Sequence, residues 1–160
     1  MRIGLMAVVV AALVALTATG TGSATTPPTV SLLTCWALGG TATVPAGVPV
    51  TVGVGYGQQS RGRIQNFINS QTTTASLDGV AVPGATGLWS APEAVGDAYA
   101  TFWRVSAGVL AQPGDTATVT LQTNLSHRIP GAKDPDTGKP SFDGPGDLFP
   151  ENFTCTVTAV

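Results

Sequence analysis

The chain has 160 residues, seven Lys and Arg against nine Asp and Glu, and a formal net charge of −2. Its cations form no run or stripe, so it lacks the basic footprint that displaces counterions from phosphates, and nucleic-acid binding is excluded. At 43% hydrophobic and 10% charged, against roughly 25% charged in an average soluble protein, it is not a self-repelling disordered chain either.

Met1-Arg2 supplies one positive charge, and Ile3 to Leu16 is an uncharged, almost wholly apolar run. That run is shorter than the about 20 residues a membrane-crossing helix needs. Followed by the small residues Gly22-Ser23-Ala24, it reads as a secretory signal over 1–24, cleaved after Ala24, with Gly20 as the nearby alternative. The expected product is secreted, extracellular or held in the cell envelope, with no membrane contact once the signal is gone. Plentiful Ala, Gly, Val and Thr with scarce Lys and Ile fits a GC-rich bacterial genome.

A Thr/Pro linker, 25–29, leads into one β domain over 30–160, long enough to bury a real core. Leu33, Cys35 and Ala37 alternate with polar or outward positions and predict a first strand. Val48, Val50, Val52, Val54 and Tyr56 then alternate with Pro49, Thr51, Gly53 and Gly55, a strand with one dry and one wet face. Ser60 is a helix cap, and Ile64, Phe67 and Ile68 fall at i, i+3 and i+4, so 61–69 is a short amphipathic helix. Further strands follow at Thr72 to Leu77 and Tyr99 to Ala107. The series Ala117, Val119, Leu121, Thr123, Leu125 marks another strand, and Phe153, Cys155, Val157, Ala159 the last one. Pro45-Ala46-Gly47, Asp78-Gly79 and Pro113-Gly114 supply the fixed φ of proline or the positive φ of glycine that tight reversals require. Between His127 and Asn152 the alternation stops; this Pro-, Gly- and acid-rich segment is expected to be a long irregular loop, functional or mobile.

The two cysteines, Cys35 and Cys155, both fall on core-facing positions of an exported chain, so a single disulfide between them is expected.

Candidate chemistry is sparse. Nucleophilic hydrolysis needs a base beside Ser, Thr or Cys; the only histidine, His127, sits at a strand end, and no Gly-x-Ser-x-Gly elbow is present. An enzyme is therefore not expected, nor any cofactor. Asp134-Pro135-Asp136-Thr137-Gly138 opens like a calcium loop, but Lys139 and Pro145 occupy the positions where that loop carries Gly and a bidentate Glu. Asp134 and Asp136 thus remain a weak calcium candidate beside the ordinary reading of a solvated turn. Of the three tryptophans, Trp103 shares a strand face with Tyr99 and Val105 and belongs to the core, Trp36 points outward, and Trp89, in a Gly/Pro-rich connection, is expected to be the exposed one. Trp89, Asp134, Asp136, Phe142, Asp143 and Asp147 together make the candidate binding surface.

Val44-Pro45-Ala46-Gly47-Val48-Pro49-Val50-Thr51-Val52, Ser76-Leu77-Asp78-Gly79, and Phe102-Trp103-Arg104-Val105 running into Leu110-Ala111-Gln112-Pro113-Gly114-Asp115 resemble the exported bacterial immunoglobulin-like β-sandwiches. That resemblance implies an all-β, two-sheet sandwich of about seven strands, serving as a binding or structural module for a protein or cell-envelope polymer. Antibody-type domains place their disulfide between internal strands, whereas Cys35 and Cys155 join the two ends of the domain. An end-to-end disulfide with tryptophans is also similar to one family of bacterial cellulose-binding modules, which implies carbohydrate binding through an exposed Trp as the alternative. A hydrolase is a more distant one.

Overall fold

The computed structural model describes residues 27–133, 140–147 and 153–160. The expected signal, 1–24, lies outside the described residues. The chain begins with β1 (Thr29–Ser31), α1 (Leu32–Ala37), β2 (Thr41–Val44), β3 (Pro49–Gln58), α2 (Arg61–Ser70), β4 (Gln71–Leu77) and β5 (Val80–Ala81). A 3-10 turn at Ala85–Leu88 precedes β6 (Glu93–Val95), β7 (Ala98–Val109), β8 (Thr116–Leu125), β9 (Ile129–Lys133), β10 (Pro140–Asp143), β11 (Gly146–Asp147) and β12 (Phe153–Ala159).

The protein is mostly β. One sheet runs β1-β3-β7-β6; the other runs β2-β12-β8-β4-β5, with β11 also pairing β8; β9 and β10 form a separate hairpin. All pairings are antiparallel except β1 with β3 and β2 with β12. The period-two patterns fix which face is dry. In β8, Ala117, Val119, Leu121, Thr123 and Leu125 are buried; in β12, Phe153, Cys155, Val157 and Ala159 are. Val50, Val52, Val54 and Tyr56 of β3 and Trp103 of β7 belong to the same buried cluster, so both sheets share one core. Gly53 leaves no room for a side chain between β3 and β7: a Cβ there would sit 2.6 Å from the Trp103 carbonyl oxygen. The β4–β5 reversal has positive φ at both Asp78 (50°) and Gly79 (79°), the backbone a two-residue hairpin demands. It is pinned where the Thr118 N–H donates to Asp78 Oδ1 at 2.7 Å.

Three expectations need correction. The strand through Leu33, Cys35 and Ala37 is instead the helix α1, capped at Ser31, whose hydroxyl accepts from the Thr34 N–H at 3.3 Å. Three alternating residues are too few to separate a period of two from 3.6, and the helix buries Leu32 and Cys35 at i and i+3. The segment 127–152 is not structureless, because it contains β9, β10 and β11. Its strands hide from a periodicity test because they are short and interrupted by Pro130 and a register shift, features tolerated in a two-stranded ribbon with open edges. With these and the short β1, β5 and β6, the described residues hold more strands than the seven or so expected.

The helix expected at 61–69 is α2, Arg61–Ser70; the Ser60 hydroxyl accepts from the Arg63 N–H, and Ile64 and Phe67 face the core. Cys35 and Cys155 form the disulfide, with Cα atoms 5.7 Å apart and a sequence separation of 120. Among the described residues no helix is long and apolar enough to cross a membrane.

Candidate functional site

Pairing places three connections at one end of the two sheets. Gln58, at the end of β3, lies opposite Tyr99 near the start of β7, and Gln71, opening β4, lies opposite Leu125, closing β8. The end therefore gathers α2, the Gly96-Asp97 turn and the segment that leaves β8. Of the cations beyond the expected signal, Arg61 and Arg63 lie on α2 and Arg128 just past the end of β8.

The β9–β10 hairpin is fastened over this end by contacts that begin in the core. Tyr56 and Gln58 continue the inward face of β3 beyond Val54, so their polar atoms sit at the rim of the apolar cluster. The Tyr56 hydroxyl donates to Asp143 Oδ2 at 2.7 Å and accepts from Gln58 Nε2 at 2.8 Å. Burial, reinforced by the hydrogen bond to Asp143 and its negative charge, pushes the Tyr56 phenol above its ordinary value of 10.0, so it stays a donor. Its ring stacks on Phe67 of α2 with centroids 4.1 Å apart, and Phe67 meets Trp89 edge-on at 4.8 Å. Arg63 Nη1 donates to the Gly131 carbonyl at 3.4 Å, tying α2 to β9. At Gly144, φ is +67° and an added Cβ would lie 2.8 Å from Leu125 Cβ, so the chain leaving β10 is pressed against the end of β8.

Outside this clasp, the Arg128 guanidinium lies 3.7 Å over the Phe142 ring. Phe142 is 42% exposed, the most open aromatic side chain among the described residues. The exposed His127, next in sequence to Arg128, has both ring nitrogens engaged: Nδ1 with Ser126 Oγ at 3.2 Å and Nε2 with Asn66 Oδ1 at 3.0 Å. The end thus presents a cation on an aromatic face, an imidazole and amides, fixed from beneath by the Tyr56–Asp143 bond.

Several expected site residues take other places. Trp89 is not exposed: it is 7% accessible, pairs with Trp103 across a β-bridge, and its Nε1 donates to Thr73 Oγ1 at 2.9 Å. Thr73 in turn bonds Gln71 Oε1 at 2.7 Å and Thr123 Oγ1 at 2.9 Å, a polar network inside the core that satisfies the indole. Trp89 therefore leaves the candidate surface. Trp103 is fully buried, as its register predicts, and its Nε1 donates to the Ala85 carbonyl at 2.9 Å. Trp36 is 37% exposed and packs on Phe153 at 5.8 Å. Phe142 and Asp143 come together on β10; Asp147 pairs with Asn124 in β11. Asp134 and Asp136, with the calcium reading attached to them, lie outside the described residues. Tyr56, Gln58, Arg63, His127 and Arg128 were absent from the expected surface. The one signal, for Tyr56 and Gln58, was polar atoms on the inward face of β3 just past three valines.

Comparison with protein-family models, with curated proteins and with solved structures finds no match for this chain.

Proposed function

We propose that this protein is a secreted or cell-envelope, non-catalytic immunoglobulin-like sandwich that binds a protein or envelope-polymer partner through the end carrying α2 and the β9–β10 hairpin. The fold reading is supported by strand order. β3, β7 and β6 stand in the places of strands B, E and D of such a domain, and β12, β8, β4 and β5 in those of G, F, C and C′. The candidate end then corresponds to the end where the B–C and F–G connections of variable domains carry their recognition loops. The disulfide departs from that pattern, joining α1 to β12 instead of bridging the two sheets through internal strands. A disulfide is compatible with an oxidising, extracellular location.

The observation that carries the binding reading is Arg128 over the exposed Phe142 on a hairpin that the part-buried Tyr56–Asp143 bond holds in place. Arg and aromatic residues on rigid supports are the side chains that dominate binding energy in interfaces. The test is capture by the immobilised, purified protein from envelope and culture-supernatant fractions of its native host. A double variant, Arg128→Ala with Phe142→Ala, should lose a partner that the wild type holds, weakening capture by roughly tenfold or more. Equal capture by both sinks the reading.

A further inference from the structure

The second sheet has an unusual outer face. None of the residues of β2, β4, β5, β8 and β12 is Asp, Glu, Lys or Arg, and the two-residue β11 at the far end of β8 adds one acid, Asp147. Exposed faces of soluble domains ordinarily intersperse both signs of charge; this one presents hydroxyls. Thr116, Thr118 and Thr120 of β8 point to the same side as Thr154, Thr156 and Thr158 of β12, each alternating with a buried neighbour. Register aligns them into rows: Thr43, Thr158 and Thr116; Thr41, Thr156 and Thr118; then Thr154, Thr120 and Ser76. Gln122 with Thr74 and Asn124 with Thr72 extend the grid. Spacing is about 4.8 Å across strands and about 6.8 Å along them.

The side chains in these rows are stiff. β-Branching restricts χ1, and the pairs Thr118–Thr156 and Thr120–Thr154 are each joined hydroxyl to hydroxyl at 3.1 Å. One such bond uses a single proton of the two hydroxyls, leaving a donor and several lone pairs on each pair facing outward. An open cleft of about 270 Å³ is cut into this face, lined by Thr74, Ser76, Thr120 and Gln122 with Ala75, Gly79 and Ala81.

We infer that this face binds a neutral polysaccharide. The rows themselves carry no charge, with Asp78 and Asp147 at their margins, and hydroxyls that both donate and accept complement the hydroxyls of sugar rings while the threonine methyls meet their C–H faces. A second copy of the chain fits less well, since stable interfaces between copies resemble a divided apolar core and these rows hold no large apolar side chain. The grid spans four strands, so it suits a polymer contacted at many weak points better than a single sugar. This inference is independent of the role given to the Arg128–Phe142 end.

The test incubates the purified protein with microcrystalline cellulose, chitin and granular starch, and measures the bound fraction. Retention on at least one is expected, unchanged between about 0.1 M and 1 M salt, a range over which the screening length falls from about 10 Å to about 3 Å. Thr120→Lys puts an ammonium that must shed its water into the contact and should lower retention roughly tenfold. Thr74→Lys, at an exposed position, serves if Thr120→Lys does not fold. Arg128→Ala with Phe142→Ala should leave retention unchanged. No retention on any of the three polymers overturns the inference. So does retention indifferent to the lysine variants or abolished by salt, and so does a dimer in sedimentation that Thr120→Lys dissociates.

Discussion

Trp89 shows how a single residue's placement turns on one hydrogen bond. Its surroundings are rich in Gly and Pro, which ordinarily marks a surface connection. Yet an indole is large and mostly apolar, and it enters a core whenever its N–H finds an acceptor. Thr73 is that acceptor, and it sits on the inward face of β4 because Thr123 and Gln71 satisfy it in turn. Trp89→Phe removes the donor and leaves a small void among Phe67 and Trp103. Urea denaturation should report a loss of about 1–3 kcal/mol. Retention on insoluble polysaccharides should not change; a loss there without loss of stability would restore an exposed, sugar-stacking role for this residue.

At the scale of elements, the hairpin β9–β10 is held by side chains, since among the described residues no ladder joins it to either main sheet. Tyr56 is central to that attachment. Its phenol is raised above the ordinary 10.0, chiefly by burial, so the folded state favours the protonated form more than the unfolded chain does. The stability it confers is complete below pH 10 and is lost as pH rises beyond it. Wild-type melting temperature should therefore decline above pH 10 more steeply than that of Tyr56→Phe. That variant should also be less stable at neutral pH by about 1–3 kcal/mol, since Asp143 and Gln58 lose their shared partner. Hydrogen exchange should show the cost concentrated at β9 and β10. Equal alkaline slopes in the two proteins would remove the clasp from the account. Nothing in the local sequence announces this attachment. Tyr56 and Asp143 are 87 residues apart, and β9 and β10 are too short for a period to emerge.

Across the whole molecule, the covalent link between α1 and β12 closes a span of 120 residues. Chain-entropy reasoning assigns roughly 5 kcal/mol to a loop of that size, with about 2–5 kcal/mol typical when a native bridge is removed. A Cys35→Ser, Cys155→Ser variant should lose stability within that range in urea. Both thiols should resist alkylation in the native protein until it is reduced. Free thiols before reduction would contradict the bridge. The bridge also orders the N-terminal turn: α1 packs on β12 through Cys35 and Trp36, and the Gly40 N–H and carbonyl are bonded to Cys35 and Thr156 at 2.8 Å each.

Taken alone, the amino-acid order determined the long strands β3, β4, β7, β8 and β12, the amphipathic helix α2, the tight turns and the cysteine pairing. Each rests on local physics: a period of two or 3.6 long enough to count, a capping hydroxyl, a glycine at positive φ. Only tertiary structure decided that Leu32 to Ala37 coils into a helix, that Trp89 is buried, and that β9, β10 and β11 form after β8. In those places local preference is nearly neutral, and partners far along the chain (Thr73 for Trp89, Tyr56 for Asp143, Cys155 for Cys35) choose the conformation. The uncharged threonine rows lie between these cases. Every threonine is readable in the sequence, but neighbouring strands had to be set in register before separate alternations became one surface.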